Sequence, residues 1–221
     1  MITLDFEQGS PEWFAARCGR PTASEFDRII TPGGKRSTQA DGLMYKLLAE
    51  MVTGHPAVFT ESDWMKRGRE LEAEARAALE FHVDHEIAQV GFIYSDERHA
   101  VGCSPDGLYA DGGCEIKCPS PAVHVQYLLG QTIPSDYYPQ VQGAMYATGA
   151  PWWDFWSYHP DMPPLYVRVK RDDPYIAKMG ELIEMLLIAL NEKRTRLIQL
   201  GYLPAPHVAA AIPDVVMADT P

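Results

Sequence analysis

The chain has 221 residues, which fits one domain with extensions, and 46% of them are hydrophobic, which is ample for a core. Lys and Arg number 19 against 30 Asp and Glu, and the resulting formal net charge of −11 argues against a simple basic nucleic-acid binder. No apolar run is long enough to span a membrane, and Met1 to Asp5 lack the charged start and apolar stretch of a signal peptide, so a cytoplasmic protein is expected.

In chain order, Ser10-Pro11-Glu12-Trp13 reads as a capped helix start with Pro11 in the first turn, and Arg17 falls near the end of that helix. Thr22-Ala23-Ser24-Glu25 then fits the capping-box pattern of a second helix. Free backbone N–H groups at a helix start attract anions, so Arg17, Thr22 and Ser24 are candidates to cradle a phosphate. Ordinary capping explains the same residues as well. Gly33-Gly34-Lys35 lacks the spacing and the preceding strand of a phosphate loop and reads as a mobile basic loop. Other basic clusters (Lys66-Arg67-Arg69, Arg168-Lys170-Arg171 and Lys193-Arg194-Arg196) read first as solvated faces.

Lys66 to His82 has helical periodicity. Trp64, Gly68, Leu71, Ala75, Leu79 and His82 form an apolar stripe. At about 100° per residue, Glu70, Glu74 and Glu80 lie off that stripe, whereas Glu72 lies inside it. A core-facing carboxylate is costly unless it is paired or bound to metal. Two readings follow: a Glu72–Arg pair, or a carboxylate facing a metal site.

His99 to Cys103 alternates like a strand, Asp111-Gly112-Gly113 is a turn signal, and Cys114 to Cys118 reads as a returning strand. Alternation puts Cys114, Ile116 and Cys118 on an apolar face and Glu115 with Lys117 on the other. Asp106, in Ser104-Pro105-Asp106-Gly107, then sits at the loop end of the first strand, close to Glu115. Two carboxylates and an ammonium suit Mg²⁺-dependent phosphodiester hydrolysis, because Mg²⁺ takes one or two carboxylates plus waters and substrate phosphate. An exposed acidic hairpin with a solvated ion pair is the plain alternative. The four cysteines, Cys18, Cys103, Cys114 and Cys118, have no Cys-x-x-Cys pairing, so reduced thiols are expected rather than a zinc or iron–sulfur site.

Pro139 suits a first helical position and Gly149 an end, and that helix carries Gln140, Gln142 and Tyr146. Trp152 to Tyr158 and Leu165 to Lys170 read as strands, and Asp173 to Gly201 as a long helix. The aromatic run is expected in the core or a subunit interface. Residues 1–203 read as one domain and 204–221 as an Ala/Pro-rich tail.

Taken in order, Gly-x-x-x-Glu (Gly68 to Glu72), Ser-Pro-Asp-Gly, Glu-x-Lys-Cys-Pro (Glu115 to Pro119) and Gln-x-Gln with Gln-x-x-x-Tyr (Gln140, Gln142, Tyr146) resemble the lambda-exonuclease-type, YqaJ-like viral recombinase nucleases of the PD-(D/E)XK superfamily. The likeness runs from about Glu7 to about Tyr202. It implies an α/β restriction-endonuclease-like core, a central mixed β-sheet flanked by helices. It also implies a 5′→3′ double-stranded DNA exonuclease that leaves a 3′ single strand for recombination. By resemblance, Asp106 would bind two Mg²⁺ ions (Mn²⁺ being the alternative), with Glu115 and the Ile116 carbonyl as further ligands. Lys117 would position or activate the attacking water, and Glu72 and Gln140 would complete the site. Arg17, Thr22 and Ser24 would hold a 5′-phosphate. A homotrimeric ring around DNA and a single-strand annealing recombinase partner are likewise implied. Two alternatives stay open: an endonuclease of the same superfamily without end specificity, and a DNA-binding module with an inert site, against which the intact acids and Lys117 speak.

Overall fold

Ser10 Oγ accepts from the Trp13 N–H at 3.2 Å and starts α1 (Pro11–Arg17), with Pro11 in the first turn as its sequence predicts. The computed structural model describes residues 1–57 and 63–204, with backbone alone at 63–65. The capping box is not formed: residues Ala23–Arg28 make a 3₁₀ turn, and the Thr22 side chain caps nothing. Its hydroxyl accepts from Arg17 instead, and Glu25 pairs with Arg28 and Lys46. The Gly33-Gly34-Lys35 stretch is a tight reversal, closed by Thr31 N–H to Lys35 O at 2.7 Å and a bridge between Ile30 and Arg36. It is not a phosphate loop.

α2 (Ala40–Thr53) follows, then α3 (Asp63–Val83). On α3 the apolar stripe does bury Ala75 and Leu79, against Cys114, Ile116 and Trp156. His82, at the stripe's end, is exposed, and the Trp64 side chain lies outside the described residues.

The strands form two sheets. β1 (Ile2–Leu4), β2 (Phe92–Tyr94) and β3 (Gly102–Cys103) make a small antiparallel sheet. β4 (Gly107–Leu108), β5 (Gly113–Lys117), β6 (Trp152–Ser157) and β7 (Leu165–Lys170) make a mixed sheet, in which only the β5–β6 pair is parallel. A parallel pair needs a crossover, supplied by α4 (Pro121–Gly130) and α5 (Tyr138–Thr148). α6 (Asp173–Gln199) starts at Asp172, whose carboxylate accepts from Tyr175 N–H, and the chain turns at Gly201 in the left-handed region. Residues 205–221, most of the expected tail, lie outside the described residues.

The hairpin expected between His99–Cys103 and Cys114–Cys118 is replaced by a different pairing. His99 itself has φ +52° and its N–H returns to Asp96 O, so it belongs to a turn. Only Gly102 and Cys103 extend, and they pair with β2 in the other sheet. Pro105, which has no N–H to give a ladder, separates them from β4, and it is β4 that pairs with β5. The Asp106 side chain nevertheless lands beside β5, as expected.

β6 shows how the mixed sheet divides the core. Trp153 and Phe155 face the large cluster built from α2, α5 and α6. Trp156 faces the opposite way, toward α3 with Cys114 and Ile116. The aromatic run is therefore core. Glu115, in register with Phe155, faces α5. The end of β5 is the place where groups from α3, on one face, and α5, on the other, can meet.

Gly107 shows why the motif ends in glycine. A Cβ there would drive into Ile87 Cγ2 and come within 3.0 Å of the Cys114 sulfur. Gly107→Ala is expected to destabilise the fold by about 1–3 kcal/mol through overpacking. Chemical denaturation measures this, and an unchanged unfolding midpoint counts against the packing.

Candidate active site

Asp106 and β5 are joined by a short bond: Asp106 Oδ2 accepts from the Ile116 N–H at 2.6 Å. β4 begins only at Gly107 and its pairing with β5 reaches only Cys114, so the Asp106 carboxylate takes the place of a ladder partner for Ile116. Pleating turns Glu115 and Lys117 to the α5 face, where they form an ion pair. Gln140, in the first turn of α5, donates to Glu115 Oε1 at 2.6 Å. Glu72 arrives from α3 across the sheet end. It lines a cavity of about 400 Å³ together with Asp106, Ile116, Lys117, Cys118 and Tyr137. Glu72, Asp106, Glu115, Lys117 and Gln140 are thus brought to one place from three separate elements.

Both readings of Glu72 hold at once. Its Oε1 accepts from Arg76 at 2.6 Å, one helical turn on, and its carboxylate still reaches the cavity wall. A second cavity of about 650 Å³ shares Arg69, Glu72 and Asp106 and extends toward Gln8 and Gln89. A further cavity, about 690 Å³, lies elsewhere, between the end of α1 and α6; its described lining includes Arg20, His99 and Arg194 and no carboxylate. It is not where this chemistry sits.

Burial sets the electrostatics. Burial pushes the Glu115 carboxyl up to about 7; Lys117 and Gln140 oppose the shift and Asp106 reinforces it. Asp106 and Glu72 are also raised, in each case first by burial. Burial alone would strip Lys117 of its proton, but Glu115 and Asp106 overcome it and hold the ammonium above its ordinary value. Lys117 also lies 5.2 Å from the centre of the Tyr137 ring.

Among the described residues, no three His, Cys, Asp or Glu side chains are gathered as a metal cage. The donor set is instead two adjacent carboxylates, Asp106 and Glu115, beside the Ile116 main chain. Hard oxygens in that number fit Mg²⁺ or Mn²⁺, which keep waters and recruit substrate oxygens, and they do not fit zinc. A divalent cation would also offset the burial that lifts these acids.

The amino-terminal residues form a second cluster. The Arg17 guanidinium donates to Thr22 Oγ1 at 3.2 Å, Ser24 Oγ at 3.1 Å and Ser104 Oγ at 3.0 Å, and lies 4.3 Å from the Trp13 ring centre. Trp13 Nε1 donates to the same Ser104 oxygen at 2.8 Å. Burial lowers the Arg17 pKa, partly offset by Glu25. Each of these Arg17 bonds goes to a neutral hydroxyl. The charge is therefore available to an anion, with hydroxyl donors already around it. Ser104 ties this cluster to the carboxylates, since Asp106 follows it by two residues.

Ser104, Trp13, Arg76 and Tyr137 received no role from sequence. Ser104 lies inside the Ser-Pro-Asp-Gly motif, and Arg76 stands four residues after Glu72, so both had a local signal. Tyr137 had none. Gln142, by contrast, is structural: it is fully buried, donating to Lys170 O and accepting from Asp172 N–H. Cys118 lies beyond the end of β5 and lines the cavity, and it packs against the cluster of Cys114 and Ile116, the face expected for it.

A sequence model of the YqaJ-like viral recombinase domain matches residues 12–151, a span that contains both clusters. The chain belongs to this family. A YqaJ-like chain of this kind has solved relatives. An alkaline exonuclease from Laribacter hongkongensis is 30% identical, with a TM-score of 0.80 over 87% of this chain and 98% of that one. Its complex with dAMP matches with 31% identity, a TM-score of 0.79 and the same coverage. A phage-related exonuclease from Haemophilus somnus 129PT shares the fold at 16% identity, with a TM-score of 0.62 over 82% of this chain and 96% of that one. No curated protein matches the chain in sequence. The core is PD-(D/E)XK-like, a mixed sheet flanked by helices.

The raised acids bear on stability. The ordinary Glu115 value is 4.5 and the folded one about 7, so the folded protein holds that proton more tightly. The associated stability is complete below pH 4.5 and is lost as pH rises through about 7. In a chelator, the melting temperature is expected to fall across that window, and Glu115→Gln to flatten the fall. Calorimetry at several pH values checks both, and an equal slope in the variant contradicts the assignment.

Proposed function

We propose that this chain is a divalent-metal-dependent exonuclease that degrades the 5′-phosphorylated strand of duplex DNA in the 5′→3′ direction and leaves a 3′ single strand for annealing. One observation carries the reading: a phosphate-ready arginine cradle and a buried carboxylate–lysine site are joined through Ser104 and Asp106 of a single motif. The relatives support it, since one is an alkaline exonuclease and its complex holds a deoxynucleoside monophosphate.

The chemistry is hydrolysis: a water oxygen attacks phosphorus, the P–O3′ bond breaks, and the released nucleotide keeps its 5′-phosphate. Asp106, Glu115 and the Ile116 carbonyl would hold Mg²⁺ or Mn²⁺, two ions in the full site, which supply charge neutralisation and an activated water when bound. Glu115 and Asp106 favour the Lys117 ammonium, which would donate a hydrogen bond to position or activate the attacking water. Gln140 holds the Glu115 carboxylate in place. Glu72 offers an acceptor on the α3 side of the cavity, where a water can be aligned. Arg17, Thr22, Ser24 and Ser104 would grip the terminal phosphate and fix the reading frame of successive cuts. No helix among the described residues is long and apolar enough to cross a membrane. A cytoplasmic enzyme that encircles DNA as a homotrimer, with the acidic charge outside and the basic clusters lining the channel, and that hands its product to a single-strand annealing recombinase, completes the proposal.

An endonuclease without end specificity is the second reading, and the hydroxyl-bound Arg17 is the feature it leaves without a task. Linear duplexes with and without a 5′-phosphate, beside a closed circle, separate the two when metal is omitted and then restored. Cutting of the linear phosphorylated duplex alone, and only with metal, is expected; equal cutting of circles overturns end recognition. Lys117→Ala is expected to lower turnover by about 10²–10³-fold with DNA binding retained, the cost of one positioned donor. Wild-type turnover in that variant rejects the role of Lys117. Arg17→Ala should weaken discrimination between phosphorylated and hydroxyl ends by about 10–100-fold, as expected for loss of a charge-assisted contact; unchanged discrimination moves the end site elsewhere.

A further inference from the structure

Arg76 makes contacts that no role given so far explains. It lies on α3 one turn after Glu72, and its side chain is 13% exposed. Its Nε donates to the Asp106 carbonyl at 3.1 Å and its Nη2 to Glu72 Oε1 at 2.6 Å. The Gln89 amide, turned so that its oxygen faces the guanidinium, accepts from both terminal nitrogens. One planar fork thus joins three segments that are far apart in sequence: the helix carrying Glu72, the loop carrying Asp106, and the strand approach at Gln89.

We infer that Arg76 is the positioning residue of this site: it latches α3 to the backbone of Asp106, so that the metal-binding carboxylate and the helix carboxylate keep a fixed separation. The inference rests on the proposed nuclease reading and deepens it. Asp106 reaches the Ile116 N–H only while its own backbone is held, and among its described bonds the Arg76 fork is the one that comes from the opposite side of the cavity. Glu72, with Oε1 committed to Arg76, keeps its other oxygen for the cavity. This accounts for a cavity with carboxylates on two walls and no three-carboxylate cage among the described residues. Lysine cannot reproduce the arrangement, because its single ammonium has no planar fork to span a carbonyl, a carboxylate and an amide together.

The test uses the full chain in two variants, Arg76→Met and Arg76→Lys, with three measurements. Mn²⁺ binding is followed by calorimetry without DNA, turnover and KM on a 5′-phosphorylated duplex are measured separately, and folding is checked by circular dichroism. Loss of a partner that orients metal ligands typically costs 10–100-fold in metal affinity or activity. Arg76→Met is expected to weaken Mn²⁺ binding and lower kcat by that range while KM for DNA stays within about twofold of wild type. Arg76→Lys is expected to recover part of both losses. Should Arg76→Met fail to fold, Arg76→Lys decides alone: wild-type Mn²⁺ affinity and kcat in it overturn the inference. A parallel rise in KM with unchanged kcat also overturns it, since that pattern belongs to a DNA contact. If the wild-type chain neither binds Mn²⁺ nor cleaves DNA, the nuclease reading itself has failed, which is a different result from a wild-type-like Arg76 variant.

Discussion

Everything at the end of β5 follows from one electrostatic constraint: three carboxylates, Glu115 buried and Asp106 and Glu72 partly so, are gathered near a single ammonium. Isolated, each buried acid would be expensive and would take up a proton. The fold limits that cost without cancelling it. Lys117 answers Glu115, the Ile116 N–H answers Asp106, and Arg76 answers Glu72. The acids remain raised, and Glu115 stands near neutrality. A site left partly unsatisfied in this way is poised for a cation, because a bound divalent ion stabilises every carboxylate at once.

Secondary structure provides the geometry that the constraint needs. A parallel β5–β6 pair forces a crossover, and the crossover carries α5 with Gln140 onto the same face as Glu115. α3 packs on the opposite face through Ala75 and Leu79, which leaves Glu72 and Arg76 at the sheet's end. The core behind them is dense, with Trp153, Phe155 and Trp156 all buried on alternate faces of β6. Rigid elements thus hold the polar groups, and Asp106 is tied twice, through its carbonyl to Arg76 and through its carboxylate to the Ile116 N–H. The same loop reaches the Arg17 cradle through Ser104.

Local sequence carried much of this. The alternation of Cys114 to Lys117 set which side chains face the core, and the period of α3 marked Glu72 as an acid where an apolar residue belongs. Ser10 with Pro11, and Asp173 with Pro174, marked helix starts that the structure has. Where sequence failed, a tertiary partner had taken the group over. Thr22 has the right spacing for a capping box, yet Arg17 claims its hydroxyl. His99 to Cys103 has strand alternation, yet most of it turns, and its last two residues join a sheet with β2.

By itself, then, the sequence determined the chemical inventory and the local faces: an Asp, a Glu-x-Lys strand, an out-of-place helix acid and an arginine followed by hydroxyls. These depend on neighbours within a few positions, where helix and strand periods act. Only the tertiary structure decided that β4 rather than the preceding strand pairs with β5, that Arg76 bridges Glu72 to Asp106, and that Ser104 links the two clusters. Those are contacts between segments distant along the chain, fixed by which faces pack together and which buried polar groups still need a partner.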